Sequence, residues 1–381
     1  MKTPLALKGL TRWVRPCCTL GILLLRSVLT GELHAEDFAY TNVNGSITIT
    51  NYIGPGGNVT IPSIIDGMPV TAIGGQTFLG RTTLTAITIP NSVTNIMDGF
   101  LSKGGGLGAF AQCSALTNVS MGNGVLYIGI GTFTLCTSLT RVRIPDSVTT
   151  VGDFAFHNCE SLTDVKIGKS VTQLGPGTGY AFDGSTNLTS VMIPGNVTTL
   201  GNYAFAYSSS LASVTIENGV TRIGDHAFHA CPSLTNITLP VSVTTIDNEA
   251  FAGCANLGGA YFKGNAPALT APGDVFFYSS NVTVYYLPGT TGWGPTYAGR
   301  PTMLWNPQVQ TTDGSFGVRP NGFGFNIAGT AGIPFVVEAS TNLETGSWIP
   351  LQNCTLTNGL IYFSDPQWTN YSRRNYRIRS P

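Results

Sequence analysis

Three sets of side chains in this chain have types and spacings that could do chemistry. Cys113, Cys136, Cys159, Cys231 and Cys254 recur in one slot of a repeated phrase, where thiols could cross-link or hold a metal. His226 and His229 stand three apart, and His157 shares the slot of His229, so two imidazoles could face one ion. Arg141 and Arg143 precede Asp164 and Lys166 by 23 residues each, which gathers four charges that could grip a ligand through charge-assisted hydrogen bonds.

Each set also has a plainer reading. Side chains stacked in parallel register meet disulfide dihedral demands poorly. Ser185 and Ser208 occupy the same slot as the cysteines, and five thiols is an odd number, so buried free thiols are expected. No Cys-x-x-Cys or matching histidine spacing supports zinc. The histidine pair has no matching carboxylate or third ligand, which favours an ordinary surface or turn role. The acids Asp146, Asp153, Glu160, Asp164, Asp225, Asp247 and Glu249 are scattered over turns and edges. Neither a Ser-His-Asp order nor a phosphate loop nor a nucleotide fingerprint occurs. The expectation is therefore no catalytic residues, no metal and no cofactor. Arg141, Arg143, Asp164 and Lys166 remain as the candidate ligand-contact strip.

The elements that carry these residues come from one phrase. Its clearest copy runs Ala155-Phe156, Cys159, Leu162, Val165, Ile167, Val171, Leu174-Gly175. With the phenylalanine as marker, copies begin at Phe78, Phe110, Phe133, Phe156, Phe182, Phe205, Phe228 and Phe251. The step is 23 residues, with nine extra before Phe110 and three before Phe182. A constant step of this size predicts a solenoid. Leu162, Val165 and Ile167 give one apolar side of a short strand, which Pro90, Pro145, Pro194 and Pro240 close in other copies. Residues between the apolar ones, among them Asn118/Ser120, Arg141/Arg143, Asp164/Lys166, Ser190/Met192 and Ser213/Thr215, should form a continuous polar strip on the outer face. Asp153, Asn202, Asp225 and Asn248 precede the Ala-Phe pairs as the N-caps of short helical turns would. A single 23-residue coil cannot offset its ordering entropy, so coils must stack on one another to fold.

This phrase resembles the BspA-type bacterial leucine-rich repeat over about residues 38–262. The resemblance implies a leucine-rich repeat solenoid of short parallel strands plus turns or short helical turns. It also implies a secreted or cell-surface protein that binds protein or matrix and does not catalyse.

Composition agrees with an extracellular β-rich chain. Of 381 residues only 10% are charged, and the net charge is zero. That excludes the basic field a nucleic-acid or anionic-membrane partner would need. Residues 1–35 read as a signal peptide, with a basic start, an apolar run from Cys17 to Leu25 and cleavage after Ala35. That run is too short to span a bilayer, so no transmembrane segment is expected in the mature chain. Residues 36–77 read as capping coils, 78–262 as the array and 263–305 as an aromatic closing cap containing Trp293 and Trp305. Residues 306–381 change grammar to short strand candidates and turns. They are loosely similar to a fibronectin type III or immunoglobulin-like β-sandwich. Arg373, Arg374, Arg377 and Arg379 near the end read as the solvent face of a last strand, with surface sorting as the alternative. Three functions compete: binding or adhesion to an extracellular protein or glycan as a monomer, a structural spacer without a ligand, and a polysaccharide-active enzyme.

Overall fold

The computed structural model describes residues 35–102, 105–344 and 346–381. The expected signal peptide lies outside the described residues. The array is a parallel β-solenoid of leucine-rich-repeat type, and each coil has three sides. One side is the strand predicted from the apolar triplet, such as Asn118–Met121, Arg141–Arg143, Asp164–Lys166 and Ser190–Ile193. The second is a two-residue strand, such as Thr150–Val151 or Gln173–Leu174. It belongs to a 12-stranded sheet that runs from the opening cap at Phe38–Val43 to Ala268–Leu269.

The third side, carrying the Ala-Phe pair, is a series of turns, so of the two expected forms the turn is found and the short helix is not. The reason lies in two residues that flank each phenylalanine at two removes. Before it, Phe154, Tyr180, Tyr203 and His226 have φ of 58°, 64°, 51° and 54°. After it, Gln112, Leu135, Asn158, Tyr207 and Ala230 have φ of 60°, 60°, 54°, 55° and 55°. A right-handed helix cannot contain such residues. The left-handed positions turn alternate N–H groups along the solenoid axis instead. Phe133 N donates to Ala155 O at 2.7 Å, Phe156 N to Ala181 O at 2.8 Å and Phe182 N to Ala204 O at 2.9 Å, with the same pattern two residues later. The turns thus form a third inter-coil ladder that satisfies buried backbone groups. Asp153 does not cap a helix either. Its buried carboxylate accepts from Gly177 N, Thr178 N and Gly179 N at 2.9, 2.7 and 3.1 Å, and so caps the three-residue bulge of the next coil.

The core is a file of like residues. Phe78, Phe110, Phe133, Phe156, Phe182, Phe205, Phe228, Phe251 and Phe276 are fully buried. Successive rings stack with centroids 4.8–5.8 Å apart and planes within 19°. Val142, Val165 and Val191 are likewise buried on consecutive coils. Where coils meet at a corner, Gly201 allows backbone contact, since a Cβ there would lie 2.3 Å from Leu174 O. Threonine hydroxyls tie coils together outside the core. Thr163 Oγ1 donates to Thr140 O at 3.1 Å, and Thr221 Oγ1 to Thr198 O at 2.9 Å.

The five repeat cysteines, Cys113, Cys136, Cys159, Cys231 and Cys254, are free and buried. Each thiol donates to the phenylalanine carbonyl of the preceding coil, as Cys136 Sγ does to Phe110 O at 3.2 Å and Cys159 Sγ to Phe133 O at 3.3 Å. Burial pushes the Cys113 and Cys159 thiols up to about 12. The nine-residue insert includes a small hairpin, Phe100–Ser102 against Gly105–Leu107.

At the far end Trp293 packs on Phe262, Tyr286 and Tyr297 and closes the solenoid, as expected. Trp305 touches both parts: its ring meets Tyr261 of the solenoid edge-on at 6.5 Å, and its backbone N–H donates to Tyr286 O at 2.7 Å. Its indole N–H donates to Pro334 O at 3.1 Å, and its ring packs against the core of the terminal module. That module has two antiparallel sheets. One pairs Gly322–Ala328 with Gln308–Val309, Gly317–Arg319 and Leu360–Asp365. The other pairs Pro334–Ser340 with Ile349–Thr355 and Asn375–Arg379. Phe325, Ile327, Phe335, Val337, Leu356 and Phe363 form a core of its own between them.

Candidate binding surface

The structure brings all four residues of the predicted strip together. Arg141–Arg143 and Asp164–Lys166 are hydrogen-bonded neighbours in parallel register, Arg141 opposite Asp164 and Arg143 opposite Lys166. Arg143 grips Asp164 with both ends of its guanidinium: Nη1 donates to Oδ1 at 2.8 Å and Nη2 donates to Oδ2. Arg141 Nε lies 3.2 Å from Oδ2 of the same carboxylate. Hydrogen bonding from Arg143 is the main reason the Asp164 carboxyl sits below its ordinary range. Asp164 therefore acts as a clamp that fixes two arginines side by side while about half of each remains in solvent. Three cations against one anion leave a net charge of 3 − 1 = +2 on two adjacent strands. Beside them lies a shallow depression of about 400 Å³ lined by Met121, Asn123, Arg143, Asp146, Ser147 and Lys166.

The strip is not continuous, which corrects the sequence-based expectation. The sheet carrying it has five strands and ends at Asp164–Lys166, and a separate seven-strand sheet starts at Ser190–Ile193. The break coincides with the bulge at Pro176-Gly177-Thr178 that Asp153 caps, where three extra residues separate the two coils. The far half of the face is also partly covered. Thr238 Oγ1 lies 3.2 Å from Ser380 Oγ, and a cavity of about 690 Å³ separates Ser213, Thr215, Thr238 and Tyr261 from Arg377 and Arg379. Its lining arginines are occupied: Arg377 Nη2 lies 2.7 Å from Oε2 of buried Glu338, and Arg379 also pairs with Glu338. Arg374 pairs with Asp365 at 2.9 Å. These three residues of the terminal arginine group hold the module together.

The edge formed by the turns carries a second assembly that sequence reasoning did not put together. Phe154, Tyr180, Tyr203 and His226 occupy the same left-handed slot on four consecutive coils, and their rings stack 4.4–4.8 Å apart. His157 Nδ1 lies 3.0 Å from Asp183 Oδ2. His226 Nδ1 lies 3.0 Å from Asp225 Oδ2, and its Nε2 lies 3.1 Å from Glu249 Oε2. His229 Nδ1 is 3.6 Å from the same Glu249 oxygen. The third donor missing from the histidine pair's own repeat is thus Glu249, one coil on. The signal was its position, 23 residues after His226, which places both in one slot of the repeat.

Residues 106–178 and 178–293 match the family model described as BspA type leucine rich repeat region, in 6 copies. Among solved structures, the chain is similar to a leucine-rich repeat protein of T. pallidum, with 25% identity over 59% of this chain and 90% of that one and a TM-score of 0.44. A leucine-rich repeat protein from Bacteroides ovatus ATCC 8483 also shows 25% identity, over 67% and 71%, with a TM-score of 0.45. A leucine rich cell surface protein from Faecalibacterium prausnitzii A2-165 shows 24% identity over 68% and 89%, with a TM-score of 0.39. No curated protein matches the chain. The family match thus falls on the 23-residue phrase and the stacked coils it builds: residues 106–293 are similar to BspA type leucine rich repeats.

Proposed function

We propose that this protein is a secreted or cell-surface binding protein, without enzymatic activity, and that Arg141, Arg143, Asp164 and Lys166 contact an extracellular protein partner presenting acidic side chains. The observation that supports this reading is the Asp164 clamp. Two guanidinium groups held in a fixed pose lose little further freedom on binding, so the N–H groups they do not give to Asp164 are available to a partner carboxylate. The cluster is also a concentration of charge in a chain where only 10% of residues are charged. BspA-type repeats as a family support a protein-interaction or surface role. Among the described residues no helix is long and apolar enough to cross a membrane. The two-sheet layout of residues 306–381 supports the reading of that module as fibronectin- or immunoglobulin-like.

The test is binding of the purified monomer to an array of extracellular matrix proteins and glycans, run with the native protein and an Arg141→Ala/Arg143→Ala/Lys166→Ala variant. The native protein should bind an acidic protein saturably and lose affinity with salt, and the variant should bind at least about tenfold more weakly. Equal binding by both rejects the clamp as the contact site. Binding confined to glycans replaces the protein partner with a carbohydrate. Absence of binding by either protein favours the spacer reading.

A further inference from the structure

The geometry points to a binding site for a divalent transition-metal ion of the zinc class on the turn edge, with His226 Nε2, His229 Nδ1 and Glu249 Oε2 as its three protein ligands. One donor atom from each residue lies within 4.8 Å of the other two. The Glu249 oxygen is 3.1 Å from His226 Nε2 and 3.6 Å from His229 Nδ1. Donors about 2.0–2.2 Å from a tetrahedral zinc ion stand roughly 3.3–3.5 Å from each other, so the protein already holds them near the spacing an ion requires. Two imidazoles and one carboxylate suit zinc, nickel or copper and do not suit calcium or magnesium, which take oxygen ligands.

Four further features fit a ligand set better than an incidental ion pair. Asp225 Oδ2 lies 3.0 Å from His226 Nδ1, on the side of the ring away from the Nε2 that faces Glu249. A carboxylate behind a ligating histidine is the usual outer partner at zinc sites. His226 and Glu249 have φ of 54° and 51°, and the repeat register stacks these two left-handed slots one coil apart. The Tyr203 ring lies 4.5 Å from that of His226 with planes 14° apart, and the Tyr207 ring meets His229 edge-on at 5.3 Å, so both imidazoles are held in place. His229 Nδ1 is buried and has no hydrogen-bond partner among the described residues. The charged groups facing the pair are Asp183, Asp225 and Glu249. The three residues leave a position on the ion for water or for a group from a partner.

The test uses the full chain without an affinity tag. Titration calorimetry with ZnCl₂ at neutral pH should show one saturable site, and the melting temperature should rise with zinc concentration. Cobalt should give the visible bands of a four-coordinate ion. A His226→Ala/His229→Ala variant should lose the site, Glu249→Gln should weaken it at least about tenfold, and Asp225→Asn should weaken it about 10–100-fold while the site persists. His157→Ala and His34→Ala should bind as the native chain does. Circular dichroism shows whether each variant is folded, and loss of zinc is scored only for variants that are. Zinc bound equally by the native chain and the folded double variant would overturn the site. So would the absence of any saturable zinc binding by the native chain, or a preference for calcium over zinc.

Discussion

A thiol and a hydroxyl compete for one buried slot in this solenoid, and the structure explains what separates them. Sulfur, on its longer bond to Cβ, reaches the carbonyl of the phenylalanine one coil back at 3.1–3.3 Å in Cys113, Cys136, Cys159, Cys231 and Cys254. The hydroxyls of Ser185 and Ser208 are fully enclosed and have no partner among the described residues. An enclosed polar atom without a hydrogen bond costs about 1–3 kcal/mol. Ser208→Cys should therefore stabilise the protein, by about 1 kcal/mol. Cys159→Ser should destabilise it by about 1–3 kcal/mol. Equilibrium urea denaturation of the two variants checks both signs, and a destabilising Ser208→Cys would refute the account. Because burial pushes the Cys113 and Cys159 thiols up to about 12, these two should also resist iodoacetamide until the protein is unfolded.

The turn ladder is the element that the repeat phrase concealed. Strand positions announce themselves by alternation, and the proline that follows them marks the strand end. The left-handed residues beside each phenylalanine carry no such mark, because Leu135, Asn158, Tyr207 and Ala230 share a slot with Gly80, Gly184 and Gly253 and have nothing in common chemically. Only the backbone conformation unites them, and the aspartates before the Ala-Phe pairs suggested helix caps instead. For a side chain other than glycine this conformation costs roughly 1–2 kcal/mol. Ala230→Gly should accordingly leave stability unchanged or raise it by about 1 kcal/mol. Ala227→Gly, three residues earlier in ordinary backbone and fully buried, should lower it by about 1 kcal/mol. A matched pair of thermal melts distinguishes this from a general effect of glycine, which would destabilise at both positions.

At the scale of the molecule, what could be read from the residues was whatever repeats. The core file from Phe78 to Phe251 and the register of Arg141 with Asp164 both follow from a constant step. What depends on departures from that step could not be read. The sheet breaks where three residues are inserted, and the terminal module turns back over the face of Thr238. Trp305 bridges the solenoid and the module, while Trp293 stays with the solenoid. Because the two cores are separate, the protein should melt in two steps, and acid should act on one of them. Burial alone would raise the Glu338 pKa, but hydrogen bonds from Arg379 and Arg377 outweigh it and hold the carboxyl below its ordinary range. A carboxyl whose folded pKa is depressed stabilises the fold above its unfolded value of about 4.3, and that contribution is lost as pH falls through the folded value. Differential scanning calorimetry should therefore show the module transition moving down below about pH 4.3, toward or past that of the solenoid. In Glu338→Gln the module should melt lower at neutral pH and lose most of this acid dependence. If the native module transition does not move with acid, the pairing of Glu338 with Arg377 and Arg379 does not support the module, and the last strand is held by its backbone ladder alone.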